Sequence, residues 1–178
     1  MVKKISLNSY IPNSDDKIFI DANIWLYLFC PIGSYRNDIV NKYNKLFLKL
    51  LNSKCAIYTT SMIVSEFFNT YCRIDFECRK KELGNKNLNY KKEFRNTAYF
   101  KTLSEDICDI INNKILKYST RLNDQFNDID IENILTSDNN FDFNDKYYAQ
   151  LCEYNNIKIL TNDYDFLNLS NDVEIITL

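Results

Sequence analysis

The sequence contains no histidine. That absence removes Ser-His-Asp and Cys-His nucleophilic catalysis, imidazole acid–base pairs and every His-ligated zinc or iron site. Any acid–base chemistry falls to carboxylates, tyrosine, lysine or water. Glycine is almost as scarce, and its two copies, Gly33 and Gly84, lie too far apart for a GxxxxGK phosphate loop or a GxGxxG dinucleotide turn. The common ATP- and NAD-binding loops are thereby excluded. Long apolar runs are missing too: the longest, residues 24–32, is about half of what a membrane span needs and contains Pro31. With no signal peptide legible at the N-terminus, the expectation is a cytoplasmic protein without membrane engagement. The six cysteines form no CxxC pair and sit mostly in apolar stretches, which predicts free thiols in a reducing compartment.

What is present is enough for a sizeable core. Of 178 residues, 46% are hydrophobic and 15% aromatic, and one compact domain over residues 1–178 is the default. The formal charge of −2 hides an uneven distribution: residues 1–71 carry +3, residues 72–101 carry +5 and residues 102–178 carry −10.

Apolar periodicity supplies the elements. Residues 17–20 read as a buried strand ending at Asp21, and residues 36–52 as a helix with one buried face, capped by Asn37 or Ser34. Residues 55–60 form a second strand, after which Ser61 caps a helix carrying Ile63, Val64, Phe67, Phe68 and Tyr71. Helical spacing returns over 87–118 with a break near Ser104, and residues 119–143 read as polar loop or short helix. Asn144 caps a helix with Tyr148, Ala149 and Cys152 inward, before strands at 158–161 and 173–177. Strands alternating with helices predict an α/β fold, a mainly parallel central sheet of four to five strands with helices on both faces.

Ligands of such sheets gather beyond the C-terminal strand ends. Asp21 and Asp163 follow apolar strands, Glu66 lies in the second turn of a helix that leaves a strand, and Asp145 opens a helix that returns to one. Four separate segments thus bring a carboxylate toward one edge. Unpaired carboxylates a few ångströms apart repel and take up protons unless a divalent cation neutralises them. Oxygen donors without His or Cys favour Mg²⁺ or Mn²⁺, and such an ion beside a phosphodiester suggests hydrolysis by metal-activated water.

The segments IDANIWLY (20–27), TSMIVSEFF (60–68), NDKYYA (144–149) and ILTNDYDF (159–166) resemble, in order and context, the four signature segments of PIN-domain ribonucleases. The resemblance implies that Asp21, Glu66, Asp145 and Asp163 are catalytic carboxylates that hold the metal, with Asp165 and Asp142 as outer ligands. It assigns supporting roles to Asn23 and Thr161, and implies RNA cleavage leaving 5′-phosphate and 3′-hydroxyl ends. Many small bacterial relatives, the VapC-like group, are toxins restrained by an antitoxin protein, and homodimers are common among them. The alternatives are a catalytically inactive RNA- or protein-binding module of the same fold, and an RNA-processing nuclease without an antitoxin.

The sequence departs from compact members of that family in an extended helical insertion around 73–140. Its basic residues Arg73, Arg79, Lys80, Lys81, Lys86, Lys91, Lys92, Arg95 and Lys101 would track a phosphate backbone. Interspersed Tyr71, Tyr90, Phe94 and Tyr99 would stack on unpaired bases. Alternatively, the lysines occupy the wet face of a helix and the aromatics its dry face.

Overall fold

The computed structural model describes residues 1–135 and 142–178. Short apolar runs alternate with amphipathic helices, and the strands assemble into a wholly parallel six-stranded sheet. In chain order the elements are β1 (Lys3–Ser6), β2 (Lys17–Ile20), α1 (Ala22–Phe29), α2 (Asn37–Ser53), β3 (Ala56–Thr59), α3 (Ser61–Glu82) and α4 (Ala98–Ile110). A π-helical turn over Ile111–Ile115 then leads into α5 (Leu116–Tyr118), followed by β4 (Thr120–Arg121), α6 (Ile131–Ile134), α7 (Phe143–Asn155), β5 (Lys158–Leu160) and β6 (Glu174–Thr177).

The sheet order is β1-β6-β5-β2-β3-β4. Its middle is buried on both faces: Ile18, Phe19 and Ile20 of β2, Ile159 and Leu160 of β5, and Ile175 and Ile176 of β6 have no exposed surface. That burial explains why these strands read as continuous apolar runs rather than as alternating ones. The edges behave differently. β1 (KKIS) is largely exposed and β4 is two exposed residues long, so both edges are short and basic, which discourages pairing with another chain.

Both edge strands escape the sequence reading, since neither carries an apolar run. The expected count of four to five strands becomes six on that account. Several helix caps also move. The cap of α2 is Arg36, without a side-chain bond, instead of Asn37 or Ser34. Thr60 rather than Ser61 caps α3, accepting from the Ile63 amide, and Asp142 rather than Asn144 caps α7. The expected break near Ser104 falls instead at Thr97, which caps α4; the Ser104 hydroxyl donates to the Phe100 carbonyl within an unbroken helix. Of the polar stretch 119–143, β4 and α6 are formed, and 136–141 lie outside the described residues.

With glycine so scarce, the chain ends α2 and α7 on Lys54 (φ 59°) and Asn156 (φ 54°), both in the left-handed conformation that glycine adopts most easily. At the N-terminal end of the sheet, charge is neutralised internally. Lys158 lies 3.1 Å from buried Asp16 and 2.9 Å from Glu174, and Lys3 lies 2.6 Å from Glu174. All six cysteines are free thiols. Among the described residues, no helix is long and apolar enough to cross a membrane.

Ile159, central in the sheet and with no exposed surface, tests the packing. We expect Ile159→Ala to lower unfolding free energy by about 2–5 kcal/mol, read from the urea midpoint.

Candidate active site

The chain runs from β2 outward to β3 and β4, then crosses back to lay β5 on the other side of β2. The order therefore switches between β2 and β5, where an open parallel sheet leaves a crevice beyond its strand ends. Asp21 follows β2 directly and caps α1, its Oδ1 accepting from the Ala22 amide at 2.6 Å. Because Ile20 pairs with Leu160, Thr161 is carried alongside, and its hydroxyl donates to Asp21 Oδ2 at 2.6 Å. The Asn23 side-chain amide donates to the same oxygen at 2.6 Å and to Thr161 Oγ1 at 3.0 Å. Thr161 Oγ1 also accepts from the Asp163 amide at 2.9 Å, and Asp163 Oδ1 accepts from the Asp165 amide at 2.9 Å. Thr161 thus links the two strand-end aspartates through a single hydroxyl.

The other two carboxylates arrive on helices. Asp145 lies in the first turn of α7, where backbone dipoles favour negative charge, and Glu66 one turn further in, in the second turn of α3. Tyr148, one turn along α7, donates its hydroxyl to Glu66 Oε2 at 3.3 Å, and the Asn144 amide donates to that oxygen at 3.4 Å. The sequence reading placed Tyr148 inward and Asn144 at a helix cap, but it missed both as partners of Glu66. The i,i+4 spacing of Asn144 and Tyr148, which puts both on one face of the helix, is the signal that points to them.

Electrostatics bind the four acids together. Burial pushes the Asp21 carboxyl up to about 7; Glu66 and Asp163 add to the rise, while the Thr161 hydroxyl and Ala22 amide oppose it. Asp145 is likewise raised to about 7, first by burial and then by Asp163, Asp21, Asp142 and Glu66. Burial also raises Glu66, against the donated bonds from Tyr148 and Asn144. Burial and the neighbouring Glu66, Asp21 and Asp145 charges keep Tyr148 protonated. Asp21, Glu66, Asp145 and Asp163 therefore share one electrostatic neighbourhood. They do not form a closed cage: among the described residues, no three His, Cys, Asp or Glu side chains are grouped closely enough to hold one ion.

The PIN domain family model matches residues 18–171. The chain belongs to the PIN domain family. No curated protein matches the sequence. PIN domains are generally nucleases, use divalent metals and bind RNA.

Other expected site residues of this PIN domain are placed less centrally. Asp165 is exposed at the start of a 3₁₀ turn, and Asp142 is exposed at the cap of α7. The aromatics expected to stack on bases pack on one another instead. Tyr71 and Phe94 are buried, and Tyr90 lies 5.1 Å from Phe76 and 5.7 Å from Phe94 by ring centroid. Tyr99 donates to Asp75 at 3.0 Å. The dry-face reading holds for Tyr71, Tyr90 and Phe94, which seal the segment after α3 onto α3 and α4, whereas Tyr99 remains 43% exposed. Several basic residues are engaged in the same packing: Arg73 lies 3.8 Å above the Tyr90 ring, Arg79 pairs with Glu82 at 3.0 Å, Lys80 with Glu77 at 3.5 Å, and Arg95 sits 5.5 Å from the Phe100 ring.

The raised carboxylates set the pH response. Their folded-state values lie above those of the unfolded chain, so the folded protein holds these protons more tightly and ionisation opposes folding. Stability is then greatest below about pH 4 for these groups and falls as pH rises toward 7. Asp16 and Glu174 are shifted downward by the hydrogen bonds they accept, those of their lysine partners included, so their contribution runs the opposite way and is lost on acidification through the ordinary carboxylate range. We expect the metal-free protein to melt at a lower temperature at pH 8 than at pH 5, with a smaller difference in Asp145→Asn. A flat melting profile between those values shows that the acids do not strain one another.

Proposed function

We propose that this PIN domain is a Mg²⁺- or Mn²⁺-dependent ribonuclease that hydrolyses phosphodiester bonds of single-stranded or looped RNA. What carries the reading is the placement of Asp21 and Asp163 on one shared Thr161 hydroxyl at the β2/β5 switch point, with Glu66 and Asp145 in the same electrostatic neighbourhood. The groups bonded to Asp21 and Glu66 are neutral: Ala22, Asn23 and Thr161 for one, Tyr148 and Asn144 for the other. Neutral donors orient carboxylates without cancelling their charge. An all-oxygen anionic donor set of this kind fits a hard divalent cation.

The side chains of Asp21, Glu66, Asp145 and Asp163 stand too far apart to close on one ion as they lie; a bound ion would draw them in around it, with Asp165 as the candidate outer carboxylate. The bound ion supplies Lewis-acid activation of water and stabilises charge on the phosphate oxygens. The chain's own contribution is orientation: Thr161 and Asn23 fix Asp21, and protonated Tyr148 fixes Glu66.

Substrate contact is assigned to the exposed lysines of the insertion around 73–140, namely Lys81, Lys91 and Lys92 with neighbouring Lys86. Arg73, Arg79, Lys80 and Arg95 serve its packing first. Membership of the PIN family is what supports the further proposal of a cytoplasmic toxin restrained by an antitoxin, the role of its small VapC-like relatives; the homodimer is carried over from those relatives alone. A second reading, an inactive RNA-binding module, is favoured by the open arrangement of the acids.

Asp145→Asn decides between the two, because it touches none of the hydrogen bonds around Asp21 and Glu66. We expect Asp145→Asn, Asp21→Asn and Asp163→Asn each to abolish Mg²⁺-dependent cleavage while the circular dichroism spectrum is retained, and Asp145→Asn to melt higher than wild type without metal. Cleavage at the wild-type rate in all three, or absence of carboxylate-dependent Mn²⁺ binding in calorimetry, removes the nuclease assignment. In the Asp145→Asn background, replacing Lys81, Lys86, Lys91 and Lys92 by alanine is expected to weaken RNA binding and flatten its salt dependence by about 3 in log–log slope, at roughly 0.7 per lost phosphate contact. An unchanged slope places the RNA path elsewhere.

A further inference from the structure

Behind the aspartate pair lies a buried polar cluster that the catalytic reading does not use. Tyr43 of α2 has no exposed surface, yet its hydroxyl reaches the Thr161 carbonyl at 2.9 Å and Asn162 Oδ1 at 3.0 Å. The Asn162 side-chain amide donates to the Tyr27 hydroxyl at 3.1 Å, and its backbone amide points to Asn23 Oδ1 at 3.4 Å. Tyr27 is itself wedged between two rings, 4.8 Å from Tyr35 and 5.8 Å from Tyr43. Two helices, α1 and α2, thus converge on residues 161–162 of the turn after β5.

Those residues are the hinge on which the site depends. Thr161 gives its hydroxyl proton to Asp21 and accepts the Asp163 amide, so displacing residues 161–162 moves both aspartates. Asp21 and the Asp163 amide share that one hydroxyl, so two like-charged side chains meet across the turn. No basic side chain takes part in the bonds that resist their separation. What resists is a buried hydroxyl that would lose its partners if the turn moved, and an unpaired buried hydroxyl is costly.

We propose that Tyr43 and Asn162 are positioning residues that hold the Asp163-bearing turn against Asp21 and so set the affinity for the divalent ion. The proposal rests on the metal-dependent reading of the site, and it adds that the metal constant is governed by a tyrosine two layers behind the carboxylates. Outer partners of metal ligands typically change affinity by about 10–100-fold when removed.

Tyr43→Phe deletes the hydroxyl and leaves the ring; Asn162→Ala, at a half-buried turn, is the second variant if the first folds poorly. Mn²⁺ binding is measured by titration calorimetry without RNA. The expected result is a dissociation constant raised about tenfold in Tyr43→Phe, with RNA cleavage recovering as Mn²⁺ is increased. Melting midpoints of metal-free wild type, Tyr43→Phe, Asp163→Asn and the double variant form a cycle. The midpoint loss caused by Tyr43→Phe is expected to shrink in the Asp163→Asn background, since the hydroxyl no longer works against that charge. An unchanged metal constant, or additive midpoint losses, overturns the proposal. If wild type takes up no Mn²⁺, the metal-dependent reading fails by itself, and the melting cycle still decides whether Tyr43 positions the turn.

Discussion

Mutual repulsion among buried carboxylates is the constraint around which this molecule is organised. Asp21 and Asp145 are held where water is scarce and other acids are near, an arrangement that opposes folding whenever they are ionised. The opposing forces are the apolar strands that deliver them, the helix N-terminus at Asp145, and a set of neutral hydroxyls and amides. Thr161, Asn23, Tyr148 and Asn144 each orient an acid while leaving its charge in place. A lysine in any of those positions would stabilise the fold and extinguish the demand for a cation.

The contrast with the far end of the sheet makes the point. There Lys158 sits between Asp16 and Glu174, and Lys3 completes the set, so charge is settled within the protein. Both ends use strand-terminal acids. The difference between a structural network and a reactive site is whether a basic partner is supplied.

Much of this was legible in the sequence. Strands β2, β5 and β6 announce themselves because burial on both faces demands uninterrupted apolar runs, β3 by its β-prone composition, and the acids stand out as polar residues at or just beyond strand ends. β1 and β4 were hidden because edge strands need no such run. The helix caps slipped by one or two positions wherever several Ser, Thr, Asn or Asp residues competed, as at Thr60 against Ser61 and Asp142 against Asn144. Tyr43 was visible only as one apolar position on a helical face. Nothing local tells that its hydroxyl reaches a residue 118 positions away. For the basic segment, composition leaves base stacking and a dry helix face both open, and ring packing, a tertiary outcome, selects the dry face for Tyr71, Tyr90 and Phe94.

The left-handed ends of α2 and α7 bear on the whole chain. Lys54 and Asn156 occupy a conformation in which a side chain is crowded, a penalty that glycine avoids. Yet glycine also enlarges the conformational repertoire of an unfolded polypeptide, and each copy surrenders more freedom on folding than any other residue. A chain with two glycines in 178 residues begins from a stiffer ensemble. Local crowding at two helix ends is thus set against an entropy that the rest of the molecule never had to lose.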